Sequence, residues 1–135
     1  MTGILIISHY TLAQSIKDTV SVIIGEKDNV KTLSINKNDK MEDFSDKLKK
    51  EVETLNSGDG VLILADMFGG TPCNVSLSLF GNSADVGIIT GVNLPLVIEA
   101  VMHSSKKIDE LVKLLVEKKD KTIIDAKHIF MNKGN

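Results

Sequence analysis

The chain opens with Gly3 to Ser8, where Ile4-Leu5-Ile6-Ile7 is a short apolar run rich in β-branched residues. That pattern predicts a strand buried on both faces. Leu12, Ile16, Val20, Ile23 and Ile24 then recur at helical spacing, and Gly25 closes that helix. Val30 to Ile35 alternates and predicts a second strand. Met41, Phe44, Leu48, Val52 and Leu55 follow at steps of 3, 4, 4 and 3, one apolar stripe of an amphipathic helix. Both stripes are expected in the core and not in a partner groove. After the turn Asn56 to Gly60, Val61 to Ala65 predicts a third buried strand. Thr71 as N-cap and Pro72 as first helical residue start a helix that Gly81-Asn82-Ser83 ends. Val86 to Thr90 predicts a fourth strand, Pro95 opens a helix running to about His103, and Ile108, Leu111, Val112 and Leu115 mark one more. Thr122 to Phe130 is expected to form a late edge strand.

Alternating strands and helices predict an α/β fold: a doubly wound, mostly parallel sheet with helices on both faces, in three layers. Four strands are expected to be parallel, and the late strand antiparallel. In such sheets the ligand crevice lies beyond the carboxyl ends of the strands, where strand order reverses. The residues there are Ser8-His9-Tyr10, Asp66 to Asn74, and Gly91-Val92-Asn93.

Length and charge sharpen this reading. The 135 residues fit one domain, taken as 1–135, with no internal repeat or linker. The 42% hydrophobic and 25% charged content is that of an ordinary globular chain. All 16 basic residues are lysine, so the usual reader of guanine edges and the usual bidentate phosphate clamp are both missing. Gly60 to Ser105 contains only Asp66, Asp85 and Glu99 as charges. No basic patch with interleaved aromatics occurs, which argues against nucleic acid. Trp is absent, which removes the usual stacking platform for a flavin. The single cysteine suits a reducing compartment, and the first apolar run is too short for a signal peptide or membrane span. A cytoplasmic protein is expected.

The chemistry concentrates in the three loops. If the first and third strands are neighbours, His9 and Asp66 face one crevice. A carboxylate accepting the imidazole Nδ1–H would fix the tautomer and leave Nε2 a free lone pair. The same carboxylate would stabilise positive charge growing on the ring, so histidine itself can serve as nucleophile. Gly69 and Gly70 allow close backbone approach. Thr71 sits at a helix start, whose free N–H groups favour an anion, and Gly91 and Asn93 precede a second one. A phosphoryl group in transfer spreads charge over three oxygens, which preorganised donors stabilise. The candidate catalytic residues are therefore His9 and Asp66, and the candidate phosphate-binding residues Gly69, Gly70, Thr71 and Asn93. Neutral donors suit a group that is passed on. No Mg²⁺ site is apparent, since Asp66 stands alone in these loops, and no cofactor is expected.

These motifs resemble the IIA component of the mannose/fructose/sorbose family of the bacterial sugar phosphotransferase system (PTS), over roughly Met1 to Leu115. The family's apolar strand ends in its active histidine, matched by His9. Its aspartate followed by Gly-Gly-Ser/Thr-Pro-x-Asn is matched by Asp66, Gly69, Gly70, Thr71, Pro72 and Asn74. Its Gly-Val-Asn-Leu/Ile-Pro is matched by Gly91, Val92, Asn93, Leu94 and Pro95. The resemblance implies a phosphocarrier that takes a phosphoryl group from phospho-HPr onto His9 and passes it to a histidine of a IIB component. Membrane IIC and IID partners would then deliver it to sugar. It also implies a homodimer that exchanges an antiparallel strand, consistent with the strand expected at Thr122 to Phe130. The sequence has no IIB domain, so a stand-alone subunit is expected. One departure is Tyr10, where the family commonly has glycine. The ring is expected to pack over the helix start, the other role being to gate the crevice or tune partner choice.

Other readings fit less well. A response-regulator receiver resembles an acidic pair after its first strand and a lysine after its last, and neither occurs here. The phosphotransfer subunit of dihydroxyacetone kinase resembles the chain at the first strand and histidine, but usually lacks Gly-Gly-Thr-Pro. A regulatory module switched by phosphorylation of His9 is the remaining alternative. His103 is expected to favour a helix dipole, His128 to be a surface or dimer contact, and Cys73 to be buried.

Overall fold

The computed structural model describes residues 1–133; Gly134 and Asn135, included in the single domain expected above, lie outside them. Strands β1 (Gly3–His9), β2 (Val30–Ile35), β3 (Val61–Ala65) and β4 (Val86–Thr90) form one sheet, in the order β2-β1-β3-β4. Every pairing is parallel. The helices are α1 (Leu12–Ile24), α2 (Met41–Leu55), α3 (Thr71–Phe80), α4 (Leu94–Met102) and α5 (Ile108–Glu117).

Side chains alternate across a strand, and the two central strands use both faces. Ile4, Ile6, Leu62 and Leu64 point to one side, where Ala13, Val20, Val97, Ala100 and Leu111 of α1, α4 and α5 cover them. Leu5, Ile7, Val61 and Ile63 point to the other, under Phe44, Leu48, Val52 and Val75 of α2 and α3. This is the three-layer α/β architecture expected from the pattern. The expected stripes need trimming at three places: Leu12, Ile23 and Met41 are exposed. In α1 the positions that face the sheet are Ala13, Ile16, Val20 and Ile24. Leu12 and Met41 open their helices at the site end of the sheet, beyond the edge of the core.

From β1 the chain crosses to β2 on one side, then returns to place β3 on the other. Strand order therefore reverses between β1 and β3. The carboxyl ends of these two strands carry His9 and Asp66.

The segment after α5 departs from expectation. Thr122 to Phe130 forms no strand. A 3₁₀ turn spans Lys119–Lys121, and a short helix α6 covers Ala126–Met131. The side chain of Asp125 accepts a hydrogen bond from His128 N at 3.0 Å and caps that helix, which local capping favours over extended structure. Thr122 and Ile123 line a hollow beside β4 with Ile88, Thr90 and Gly91, but make no ladder with it. His128 accordingly lies on a helix.

Candidate active site

Asp66 is the first residue beyond β3 and organises the crevice. Its Oδ2 accepts from the His9 amide at 2.9 Å and lies 2.7 Å from His9 Nδ1. Its Oδ1 accepts from the Met67 amide at 2.9 Å. Burial would raise the carboxyl pKa, but the His9 amide, the imidazole and the Met67 amide together hold it below the ordinary carboxylate value. The group is then ionised and accepts only, so Nδ1 carries the proton and Nε2 presents a lone pair. The Asp66 side chain is 10% exposed and that of His9 46%: the orienting group is covered while the ring stays accessible.

Ser8 was not singled out by the sequence reading, although it is a hydroxyl at the end of an apolar run. It is fully buried. Its Oγ donates to His9 O at 3.0 Å and accepts from Ala13 N at 2.7 Å. The β1–α1 turn is thus held from the strand side and the helix side at once. Tyr10 N donates to Ile35 O at 2.9 Å, which ties the same turn to β2. Between these restraints Tyr10 adopts φ +53°, a left-handed backbone that costs a non-glycine residue about 1–2 kcal/mol. The residue is 69% exposed, so the ring is not buried over the helix start as expected.

The glycines of the loop have different duties. Gly69 has φ +85° with open space at its Cβ position, so it serves the turn itself. Gly70 has the ordinary φ of −77°, and its constraint is proximity. A Cβ there would stand 2.8 Å from His9 Cε1 and 3.6 Å from Nε2. The N-terminus of α3 thus lies directly beneath the nucleophilic edge of the ring. Gly70 is the N-cap and Thr71 the first helical residue, one position earlier than expected, with Pro72 next. The shift arises because Gly70 already takes the extended conformation that an N-cap needs. Among the described residues, the first-turn amides of Thr71 and Cys73 have no acceptor within the chain. Asn74 ties the loop down, its Nδ2 donating to Gly69 O at 3.1 Å and its amide to Gly70 O at 2.9 Å.

Asn93 is occupied differently from the other candidates. Its Oδ1 accepts from Leu96 N at 2.9 Å, capping α4, and its Nδ2 donates to Gly91 O at 3.1 Å. Val92 N donates to Ala65 O at 3.0 Å and fixes this loop beside the end of β3. His103 Nε2 lies 3.3 Å from Glu99, in a pair at the far end of α4, and Cys73 is buried. An open cleft of about 630 Å³ lies over the site, lined by His9, Tyr10, Ile35, Lys37, Met41 and Thr71 among others. A neighbouring groove of about 430 Å³ between α2 and α3 shares Met41 and Thr71 with it.

The family described as "PTS system fructose IIA component" (EIIA-man) matches residues 3–116. The chain belongs to this family. The mannose-specific EIIAB component of Escherichia coli K12 is 30% identical over 117 residues, which are 85% of this chain and 36% of that protein. The chain therefore spans about a third of that curated relative. The sorbose-specific EIIA component of Lacticaseibacillus casei is 27% identical over 87% of this chain and 85% of its own length. Among solved structures, the PTS IIA protein associated with the fucose utilization operon of Streptococcus pneumoniae superposes with TM-score 0.82 at 32% identity. That match covers 96% of each chain. Membership places the chain among the EIIA components of the sugar phosphotransferase system. Within the EIIA-man match fall the strand ending in His9, the Asp66 loop and the Gly91–Asn93 loop, so the whole site lies inside the shared region.

Proposed function

We propose that the protein is a cytoplasmic phosphocarrier that accepts a phosphoryl group from phospho-HPr on Nε2 of His9 and passes it to a histidine of a PTS IIB component. The sugar is met only downstream, at membrane IIC and IID partners. The observation that carries this reading is the 2.7 Å contact between His9 Nδ1 and an ionised Asp66. Among the described residues no helix is long and apolar enough to cross a membrane.

In the step, the Nε2 lone pair attacks phosphorus in line with the donor's P–N bond. The new bond forms as the old one breaks, and the donor imidazole leaves with the electron pair. Positive charge grows on the His9 ring, and Asp66, accepting the Nδ1–H, stabilises it without taking the proton. The phosphoryl oxygens then lie over the start of α3, where the Thr71 and Cys73 amides and the Thr71 hydroxyl can donate. Gly69 and Gly70 act by shaping that approach. Asn93, engaged with its own helix, acts by holding the second loop in place. The donors at the start of α3 are neutral, and the cation of the cleft lining is Lys37, in the loop after β2, which lies on the opposite side of β1 from β3.

The direct test is incubation with phosphoenolpyruvate, enzyme I and HPr, followed by intact mass measurement and fragment mapping. One acid-labile phosphoryl group on His9 is expected. No added mass in the presence of active enzyme I and HPr would sink the reading.

A homodimer completes the proposal. The chain exposes 8232 Å², against about 6,900 Å² for a folded monomer of this mass. Ile123, Ile129, Phe130 and Met131, all in the segment after α5, present large apolar side chains to solvent, and exposed apolar groups gathered in one patch mark an interface. Phe130→Glu is expected to convert a dimer to a monomer in light scattering. A wild-type protein that is already monomeric at micromolar concentration would remove this part of the proposal alone.

A further inference from the structure

Tyr10 combines a backbone conformation that the fold imposes with a side chain that the fold does not use. It is the one non-glycine residue with positive φ among the described residues, and its ring lies largely in solvent. The backbone conformation is forced from both sides. Asp66 holds the preceding amide and imidazole, the Ser8 hydroxyl bridges His9 O and Ala13 N, and Ile35 O receives the Tyr10 amide. The chain must therefore turn left-handed at this residue to enter α1. Glycine would do so freely, whereas a tyrosine Cβ is strained there. Burying the ring could offset the strain, yet the ring is not buried. Nor does it hold His9, whose orientation is supplied by Asp66. The side chain's use thus lies outside the chain, at the cleft that holds the nucleophile.

We infer that Tyr10 is a partner-contact and specificity-determining residue, whose ring packs against the protein that carries the phosphorylated histidine when that protein covers His9. This rests on the phosphocarrier reading above. The occupant is a protein because a donor imidazole must bring its own surface to bonding distance of Nε2. A solvent-exposed ring adjoining His9 in the chain is covered in that encounter. Leu12, Met67 and Phe68, on the flanking loop and helix start, are also apolar and exposed. Tyrosine and its apolar neighbours form the kind of surface that anchors protein contacts. Contacts of this type are little screened by salt.

The test uses the full chain and its Tyr10→Gly, Tyr10→Ala and Tyr10→Phe variants. Three quantities are read: the thermal midpoint, the second-order rate of phosphorylation by phospho-HPr, and the rate of His9 labelling by phosphoramidate, a small donor without a protein surface. Tyr10→Gly is expected to raise the midpoint by about 2–5 °C as the strain is relieved. It should slow transfer from phospho-HPr by about tenfold or more and leave phosphoramidate labelling unchanged. Tyr10→Ala keeps the left-handed strain, so it should slow transfer equally without raising the midpoint. Tyr10→Phe keeps the ring and should stay within about twofold of wild type. A Tyr10→Gly protein that takes phosphoryl from phospho-HPr at the wild-type rate overturns the inference and leaves the phosphocarrier reading standing. Equal slowing with both donors also overturns it, because the effect then falls on His9 itself. Wild-type protein labelled by phosphoramidate but never by phospho-HPr removes the phosphocarrier reading, and this inference with it.

Discussion

Asp66→Asn is expected to slow phosphorylation of His9 by about 10²–10⁴-fold. The carboxylate now accepts from donors at both oxygens: the His9 amide and ring on Oδ2, and the Met67 amide on Oδ1. An asparagine of the same size has one oxygen and one NH₂. If the NH₂ faces Met67, two N–H groups confront each other. If it faces His9, Nδ1 must become the acceptor and the ring proton moves to Nε2, which removes the attacking lone pair. In either orientation the negative charge is gone, and the cation that grows on the ring in the transition state loses its counter-ion. Stopped-flow or quenched transfer from phospho-HPr reads the effect; a rate within threefold of wild type would contradict the assigned role.

The same variant carries a pH signature whose sign follows from the depressed pKa of Asp66. A carboxyl with a folded pKa below its unfolded value contributes stability that is fully present above the unfolded value, near pH 4. That contribution is lost as pH falls through the lower folded value. The contribution of Asp66 to the stability gap between wild type and Asp66→Asn should therefore close as pH falls below about 4. Denaturant unfolding at several pH values measures it. A gap that persists undiminished well below that pH would contradict the hydrogen bonds described.

Gly70→Ala is expected to slow transfer by about 10²-fold while sparing the fold. Alanine tolerates φ −77°, so the backbone accepts the substitution. The new methyl would meet His9 Cε1 at 2.8 Å and Met67 Cγ at 3.1 Å. The methionine is exposed and can move aside. The imidazole cannot, because leaving its position breaks the Asp66 contact and swings Nε2 off the start of α3. The expected pattern is a melting temperature near that of wild type with a large loss of transfer. Unchanged transfer would show that the ring can relocate without penalty. Gly69→Ala should behave the opposite way, with open space at its Cβ but a φ of +85° that destabilises by about 1 kcal/mol.

Most of the sheet was legible because its strands are short apolar runs bounded by turn residues, and because the amphipathic helices keep one stripe each. The placement of His9 and Asp66 at the carboxyl ends of strands was legible from the pattern, and the β1–β3 pairing that the sequence left as a condition brings them together. Three things were not. Ile123 and Ile124 drew the C-terminal segment toward an extended reading, since β-branched residues favour strands. The cap at Asp125 was a single polar residue against that signal, yet it decides the helix. The left-handed turn at Tyr10 has no local signature, because long-range bonds to Asp66 and Ile35 impose it. The occupation of Asn93 by its own helix depends on which of two duties one amide performs, and spacing does not distinguish them.

The pairing of β1 with β3 places Ile7 opposite Ala65, and the reactive couple lies just past that last rung. Sliding one strand by a single residue would part imidazole from carboxylate by about 3.3 Å and turn that strand's own core side chains to the opposite faces. On the phosphocarrier reading proposed above, chemical competence at His9 serves as an assay of zipper alignment: any population able to take the phosphoryl group has its two innermost strands in correct register. Pulse-labelling during refolding would then time the closure of the sheet's centre, independently of when the outer strands and the C-terminal helix settle.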